Sequence, residues 1–297
     1  MINKRKAARA RNHLQGFSLI EMAVVLVIIG LVMGGVLKGL GSQLEQKKVR
    51  DTQERIKEAS EAIMAFAIAN RRLPCTASLT SSDGDAPPTT GFGKCPNNGH
   101  GFVPARTLGL AERDPNNGRM QDAWGFGIRY AVTQVEYVGT TLSGKNNDDN
   151  KYKDKDKCIG SNGPCYPFTQ EDGIKNAYYK NDNQKSDVQP GLPLLLQVCK
   201  SSPGIAPPPH TACSVGTDRI AQPAFIVWST ARNGAELPNG SGADEKANMD
   251  GKLDDHRVYV SHPRTEIGAT NGAFDDLLQW RTFERVFQDM GNMGLLK

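Results

Sequence analysis

The chain has 297 residues, enough for one sizeable domain or for a core domain with insertions. Its 36 Lys and Arg against 32 Asp and Glu give a formal charge of +4, but five of the cations lie in the first 16 residues, at Lys4, Arg5, Lys6, Arg9 and Arg11. Without that basic leader, 31 Lys and Arg face 32 Asp and Glu, a net charge of −1. The composition therefore gives no support to a nucleic-acid-binding surface, and no nucleic-acid partner is expected.

A membrane-length apolar run follows the basic leader. Residues 16–38 read GFSLIEMAVVLVIIGLVMGGVLK, with one acid, Glu21, near the start. A carboxylate at mid-bilayer costs about 2.5–3.5 kcal/mol on insertion scales, so an acid in this position indicates a functional site. A secretory signal peptide has its cleavage site after the apolar core. Here the obvious break, after Gly16, comes before the core, and cleavage there would leave the apolar segment on the mature chain.

This arrangement resembles the N-terminus of type IV prepilins and type II secretion pseudopilins, and the string GFSLIE at residues 16–21 carries the resemblance. The resemblance implies that prepilin peptidase cleaves between Gly16 and Phe17 and that the new Phe17 amine is N-methylated. It also implies that Glu21, the fifth mature residue, pairs with the N-terminal amine of a neighbouring subunit. A buried ion pair of this kind gives register more reliably than net stability.

A plain membrane anchor, with its basic residues kept inside, is the alternative interpretation of the same segment. Such an anchor has no need of Glu21 four residues into the run, or of the complete string GFSLIE. Both details favour the prepilin interpretation.

The helical pattern continues from about Gln43 to Arg72 without Pro or Gly. Apolar residues recur there at helical spacing, at Val49, Ile56, Ala59, Ile63, Phe66 and Ala67. The segment 73–75, Leu-Pro-Cys, ends the pattern. The sequence thus predicts one helix of roughly 50 residues from Phe17, apolar in its first half and amphipathic in its second.

All six cysteines follow the membrane-length run, at Cys75, Cys95, Cys158, Cys165, Cys199 and Cys213. An even number in an exported domain implies disulfides. Nearest-neighbour pairing (75–95, 158–165 and 199–213) closes three modest loops and is the favoured arrangement. A zinc site is the alternative, but neither a Cys-x-x-Cys motif nor clustered histidines accompany the thiols.

The remaining sequence predicts short strands between loops. Residues 76–122 are rich in Gly, Pro, Asn and Thr and predict a loop-rich connection. The segment 122–132 predicts a turn that feeds a strand, and it resembles the Asp-x-Trp-Gly segment that opens the sheet in many pseudopilins. Further strands are predicted over 192–198, 224–229 and 258–260, and a short helix over 283–290. The segment 274–280 resembles the closing segment of pilin-like domains.

An acidic stretch near the last Trp suggests a calcium loop, because major pseudopilins hold calcium at this place. The candidate ligands are Asp250, Asp254 and Asp275. An EF-hand would need an oxygen ligand where Lys246 stands, and no Glu closes the loop. A plain Asn/Asp/Gly turn is therefore favoured, and no cofactor is expected.

The sequence contains the residue types of a hydrolase triad, with Ser229, His256 or His262 and an Asp as candidates. No Gly-x-Ser-x-Gly elbow and no metalloprotease motif supports it. We therefore predict that the protein is not an enzyme and has no catalytic residues.

The patterns and the resemblance together predict an α+β, pilin-like fold, in which a long N-terminal helix packs on an antiparallel sheet with large disulfide-stapled loops. Four segments are expected. They are a leader that is removed (1–16), a transmembrane assembly helix (17–40), the amphipathic half of the helix (41–73) and an exported globular domain (74–297).

The resemblance implies a structural subunit, a minor pilin or pseudopilin, of a type IV pilus or type II secretion filament. Its partners would be prepilin peptidase, other pilin or pseudopilin subunits and an inner-membrane assembly platform. The subunit would cross the inner membrane once, with a periplasmic domain, before it enters the filament. The alternatives are an adhesive subunit at the filament tip and, less favoured, a plain membrane-anchored periplasmic domain.

Overall fold

A computed structural model of the protein describes residues 17–78, 84–89, 93–111, 114–134, 166, 168–171, 173–174, 196–204, 213, 218–234, 242–249 and 258–295. The chain divides into two units, residues 1–47 and residues 48–297. All strands found among the described residues lie in the second unit.

The long helix predicted from the sequence is present as α1 (Leu19–Asn70, 52 residues). It begins two residues after Phe17 and ends three residues before the predicted stop. The stop has a local cause, because Arg71 adopts the left-handed conformation with φ of 54°. A left-handed residue directly after the last helical turn is a common helix terminator.

In the part of the chain that the structure describes, strands and further helices follow α1. The strands are β1 (His100–Phe102), β2 (Arg129–Val132), β3 (Gln197–Cys199), β4 (Arg219–Ala221), β5 (Pro223–Ser229), β6 (Val258–Val260) and β7 (Leu277–Thr282). The helices are α2 (Ala243–Asn248) and α3 (Phe283–Asn292). An α+β fold is therefore confirmed.

The strands form two sheets. A four-stranded sheet has the order β1-β2-β5-β7, and every neighbouring pair in it is antiparallel. A three-stranded sheet has the order β4-β3-β6, in which β3 pairs antiparallel with β4 but parallel with β6. The predicted antiparallel sheet is thus correct for the larger sheet and wrong for the smaller one. The chain passes through β4, β5 and α2 before it reaches β6, and a crossover of that length permits parallel pairing.

The four-stranded sheet is buried on both faces. On one face its side chains share a core cluster with the second half of α1 and with α3. On the other face, side chains of β2 and β5 pack with those of the three-stranded sheet. Strand β5 shows this clearly, since Phe225 and Val227 join the first cluster and Ile226 and Trp228 join the second. Successive side chains of a strand point to opposite faces, so β5 lies at the centre of a three-layer arrangement.

Most of the predicted elements are found close to their expected positions. The turn and strand over 122–132 end in β2, the strand over 224–229 is β5, and the strand over 258–260 is β6. The helix predicted over 283–290 is α3. The strand predicted over 192–198 is described only from residue 196, where it continues as β3.

Among the described residues, four elements were not predicted as strands or helices: β1, β4, β7 and α2. Strand β1 lies within the segment 76–122, which the composition assigned to loops. Its three residues, His-Gly-Phe, show no alternation of apolar and polar side chains, and the strand exists because it pairs with β2. Strands this short depend on cross-strand pairing rather than on intrinsic propensity.

Two disulfides are present, Cys75–Cys95 and Cys199–Cys213, with Cα–Cα distances of 5.4 and 5.6 Å. Both are pairs of the nearest-neighbour arrangement. The third expected pair, Cys158 and Cys165, lies outside the described residues. The four described cysteines are bonded to one another, so they do not form a zinc site.

Candidate functional site

The first candidate site is the beginning of α1. Ser18 precedes the helix, and its side-chain oxygen accepts a hydrogen bond from the Glu21 backbone N–H at 3.2 Å. In return, the Glu21 Oε2 atom accepts hydrogen bonds from the Ser18 N–H at 3.0 Å and from the Ser18 hydroxyl at 3.2 Å. This reciprocal pattern is a capping box, which satisfies donors that a helix N-terminus otherwise leaves open. Glu21 is thus held by its own helix.

Large apolar side chains surround this site and are exposed within the described residues. Leu19 is 93% exposed and Leu31 is 73% exposed, and the large apolar side chains between them are exposed as well. Contiguous exposed apolar surface of this extent marks a contact with another protein or with lipid. In the part of the chain that the structure describes, no helix meets the length and apolar content needed to cross a membrane.

A family model decides what this N-terminal segment is. The chain carries the prokaryotic N-terminal methylation motif. The match covers residues 11–37 and includes Gly16, Phe17 and Glu21. The motif marks the type IV pilin and pseudopilin family and implies processing by prepilin peptidase and anchoring in the inner membrane before filament assembly. The chain matches no curated protein and no solved structure.

The methylation motif extends beyond the part of the chain that the structure describes. Phe17 is described and is 83% exposed, whereas Gly16, on the other side of the expected cleavage site, lies outside the described residues. The sequence analysis gave Glu21 a role in the motif but missed its partner Ser18. The signal was available, because the spacing Ser-x-x-Glu is the sequence signature of a capping box.

The second candidate site is an acidic cluster in the globular part, formed by Glu245, Asp275 and Asp276. One carboxylate oxygen from each residue lies within 4.8 Å of the others. Glu245, on α2, is fully buried, and its Oε1 atom accepts a hydrogen bond from the Asp275 N–H at 2.8 Å. Asp275 and Asp276 directly precede β7. The Asp275 Oδ1 atom is buried and has no hydrogen-bond partner among the described residues.

The cluster differs from the predicted ligand set of Asp250, Asp254 and Asp275. Only Asp275 is common to both, and Asp250 and Asp254 lie outside the described residues. Glu245 was not predicted as a ligand, although it lies five residues before Asp250 in the sequence. No local spacing connects Glu245 to Asp275, because the two residues are 30 positions apart and meet only in the folded chain.

Electrostatics makes this cluster costly in its ionised form. Burial, and after it the negative charge of the neighbouring Glu245, raise the pKa of Asp275 to about 6, against an opposing effect of Arg264 and Arg232. Burial also raises the pKa of Asp276 well above its ordinary value, and the hydrogen bond from Asn248 opposes that shift. Buried carboxylates are stabilised either by protonation or by a nearby cation. The cluster is therefore a place where a proton and a metal ion would compete.

The donor atoms fit a hard divalent cation. Calcium binds about six to eight oxygen ligands, among them carboxylates and backbone carbonyls. The three acids supply the charge, and the buried Asp275 Oδ1 atom supplies an oxygen that has no hydrogen-bond partner in the described residues. Ligation by calcium would satisfy that oxygen and remove the repulsion among the carboxylates.

Asn248 connects the acidic cluster to the three-stranded sheet. Its amide nitrogen donates to Asp276 Oδ2 at 2.7 Å and to the Val260 carbonyl at 3.0 Å. Its amide oxygen accepts from the Val260 N–H at 2.6 Å. The side chain thus pairs with the backbone of β6 in the way that a neighbouring strand would, and it fixes Asp276 at the same time.

His262 contacts α2 through Asp244. His262 Nε2 lies 3.0 Å from Asp244 Oδ2, and Nδ1 lies 2.7 Å from the Pro263 carbonyl. The ring also stacks on Phe274 at a centroid distance of 4.0 Å. Asp244 further accepts a hydrogen bond from the Ser202 N–H at 2.5 Å. The contacts of His262 thus connect α2 to residues 262–274, the segment directly before Asp275.

The residues of the imagined hydrolase triad have other partners. Ser229 donates to Asp122 Oδ2 at 2.5 Å and accepts from the Ala231 N–H at 3.0 Å. His262 is bonded to Asp244 and Pro263, as described above. Neither pair is the Ser–His contact that a triad requires. His256 lies outside the described residues.

Asp122 instead has a structural role in the Asp-x-Trp-Gly turn. Its Oδ1 atom accepts hydrogen bonds from the backbone N–H groups of Trp124 and Phe126, each at 2.9 Å. Its Oδ2 atom accepts from Ser229 at the end of β5. Burial raises the pKa of this carboxyl, and the hydrogen bonds oppose the shift. The turn is also held to α1, since Thr52 Oγ1 accepts from the Ala123 N–H at 3.0 Å.

Proposed function

We propose that the protein is a minor pilin or pseudopilin, a structural subunit of a type IV pilus or type II secretion filament. Prepilin peptidase removes residues 1–16, and the Phe17 amine is methylated. The subunit resides in the inner membrane with its globular part in the periplasm. An assembly platform then moves it into a filament with other pilin-type subunits, where Glu21 pairs with the amine of a neighbour.

The observation that carries this proposal is the methylation motif over residues 11–37, a range that includes Phe17 and Glu21. Two features support it. The large apolar side chains of the motif that are described, over residues 17–32, are exposed and need a partner outside the described part of the chain. The helix that bears the motif continues to Asn70, and its second half contributes to the core of a globular part. A subunit that assembles through an N-terminal helix requires that combination.

A minor position in the filament is favoured by the size of the globular part. Major pilins resemble this chain at the N-terminus but are usually shorter than its 297 residues. A tip subunit with an adhesive surface remains the second candidate on the same observation. Abundance separates a major from a minor position, because a major subunit dominates sheared filaments and a minor one is present in traces. Loss of surface attachment with the filaments intact would favour the adhesive tip subunit.

The deciding experiment is intact mass measurement and N-terminal sequencing of the full chain purified from membranes, with and without prepilin peptidase. We expect a mature chain that begins at methylated Phe17 only when the peptidase is present. A chain that keeps Met1 in the presence of an active peptidase would refute the filament proposal. It would leave a plain anchored periplasmic domain.

We further propose that the acidic cluster binds calcium. The proposal is supported by the buried Asp275 Oδ1 atom without a partner and by the proximity of Glu245 and Asp276. In major pseudopilins, which this chain resembles near its last Trp, calcium is held at the corresponding place. Bound calcium would fasten α2 to the segment before β7 and would therefore stabilise the globular part.

Calcium binding is measured by isothermal titration of the metal-free chain and by its melting temperature with and without calcium. We expect calcium to raise the melting temperature of the wild type and to have little effect on Asp275→Asn. Glu266→Gln is the matched control, since it removes an exposed carboxylate from the same region of the chain. An unchanged melting temperature and no heat of binding for the wild type would refute the calcium proposal.

A further inference from the structure

We propose that Ser18 is a positioning residue, which holds the Glu21 carboxylate ready for the amine of a neighbouring subunit. The inference rests on the proposed function, in which Glu21 receives that amine. It adds a second residue to the pairing and states how that residue acts.

The geometry of the capping box leaves one oxygen of Glu21 available. Both Ser18 donors, the backbone N–H and the hydroxyl, reach the same atom, Oε2. Among the described residues, no donor contacts the other oxygen, Oε1. An ionised carboxylate accepts on both oxygens, so the Oε2 contacts fix the rotamer while Oε1 stays free to accept from an external ammonium group.

The reciprocal hydrogen bond fixes the backbone as well. The Glu21 N–H donates to the Ser18 hydroxyl oxygen, so the same side chain that orients the carboxylate also anchors the first turn of α1. The helix N-terminus carries a partial positive charge that favours an acid in this turn. The carboxylate is therefore held close to the helix end rather than extended along the apolar surface.

The capping box does not depend on the leader. The Ser18 N–H belongs to the peptide bond between Phe17 and Ser18, which lies after the expected cleavage site. Cleavage after Gly16 and methylation of the Phe17 nitrogen consume none of the atoms in the three hydrogen bonds. The carboxylate is thus positioned in the same way before and after processing.

The test compares three variants of the full chain with the wild type, in cells that contain prepilin peptidase and the filament machinery. Ser18→Ala removes two of the three hydrogen bonds, and Ser18→Thr keeps a hydroxyl that caps. Ser42→Ala is the matched control, since it removes an exposed serine from the same helix. The amount of subunit in sheared filaments is divided by the amount of cleaved subunit, so that any effect on the peptidase is removed.

We expect incorporation of Ser18→Ala to fall roughly fivefold, the effect of losing an N-cap residue. Ser18→Thr and Ser42→Ala should remain within about twofold of the wild type. Hydrogen exchange of the Glu21 amide, measured on the full chain in micelles, should be roughly fivefold faster in Ser18→Ala and unchanged in Ser18→Thr.

Two results would overturn the inference while the proposed function stands. One is incorporation of Ser18→Ala at the wild-type level, and the other is a defect in Ser18→Thr as large as that in Ser18→Ala. If the wild type itself is neither cleaved after Gly16 nor found in a filament, the proposed function fails and this inference fails with it. The two failures are therefore distinguishable by the behaviour of the wild type.

Discussion

The two units of the chain differ in how far they bury the same kind of apolar side chain. Ile28 and Ile63 both lie on α1, yet Ile28 is 53% exposed in the first unit and Ile63 is fully buried in the second. Around Ile63 the sheet supplies partners, including Tyr130 and Phe225. Around Ile28 the described part of its unit supplies no such core. The difference shows that an apolar helix residue stabilises the fold only where a second element covers it.

The comparison is tested most strongly by truncating both isoleucines. Ile63→Ala removes buried methylene groups and leaves a cavity in the core, so we expect the free energy of unfolding to fall by about 2–5 kcal/mol. Ile28→Ala should change it by about 0.5 kcal/mol or less, because the side chain is exposed. Urea denaturation of the detergent-solubilised chain gives both values. Equal losses for the two variants would contradict the comparison.

The disulfide at the end of α1 should contribute the next largest effect. Cys75 and Cys95 are both buried in the core cluster and close a loop with a sequence separation of 20. We expect the double variant Cys75→Ser/Cys95→Ser to lose about 2–4 kcal/mol in the same assay. Cleavage after Gly16 should be unchanged, because the first unit holds none of the cysteines. A processing defect in this variant would mean that the peptidase depends on the folded globular part.

A smaller effect is expected from pH, and only in the globular part. The pKa of Asp275 is raised from 3.8 to about 6 in the folded chain, so between these values the folded state binds more protons than the unfolded state. Stability in calcium-free buffer should therefore fall as the pH rises from about 4 to 6. The slope should be shallower in Asp275→Asn. Thermal melts across this range measure it, and a stability that rises with pH to the same extent in both proteins would contradict the assignment.

How far the sequence predicts the structure depends on whether the signal is local. The helix α1, the turn at Asp122 and the strand β5 follow from helical periodicity, turn residues and an apolar run, and all three are found. The strands β1 and β4 were missed because their sequences, His-Gly-Phe and Arg-Ile-Ala, lack the apolar run that predicted β6, and their backbone hydrogen bonds come from partners far along the chain. The parallel pairing of β3 with β6 was missed for the same reason.

The two candidate sites also differ in whether their residues are close together in the sequence. The methylation motif is a continuous string, and even its unpredicted member, Ser18, is three residues from Glu21. The acidic cluster joins Glu245 to Asp275 and Asp276 across the folded chain, and burial, which gives these acids their raised pKa values, is a property of the surrounding core.

Local sequence patterns are enough to predict the processing motif, the long helix and the α+β class, and they favour the two disulfides that are described. Each of these depends on residue types at short or fixed spacing. Three other features are visible only in the folded chain: the cover on both faces of the four-stranded sheet, the pairing of Asn248 with β6, and the set of acids that meet before β7. Those features arise from contacts between distant segments, and such contacts form where packing and hydrogen bonding favour them rather than where local propensity directs the chain.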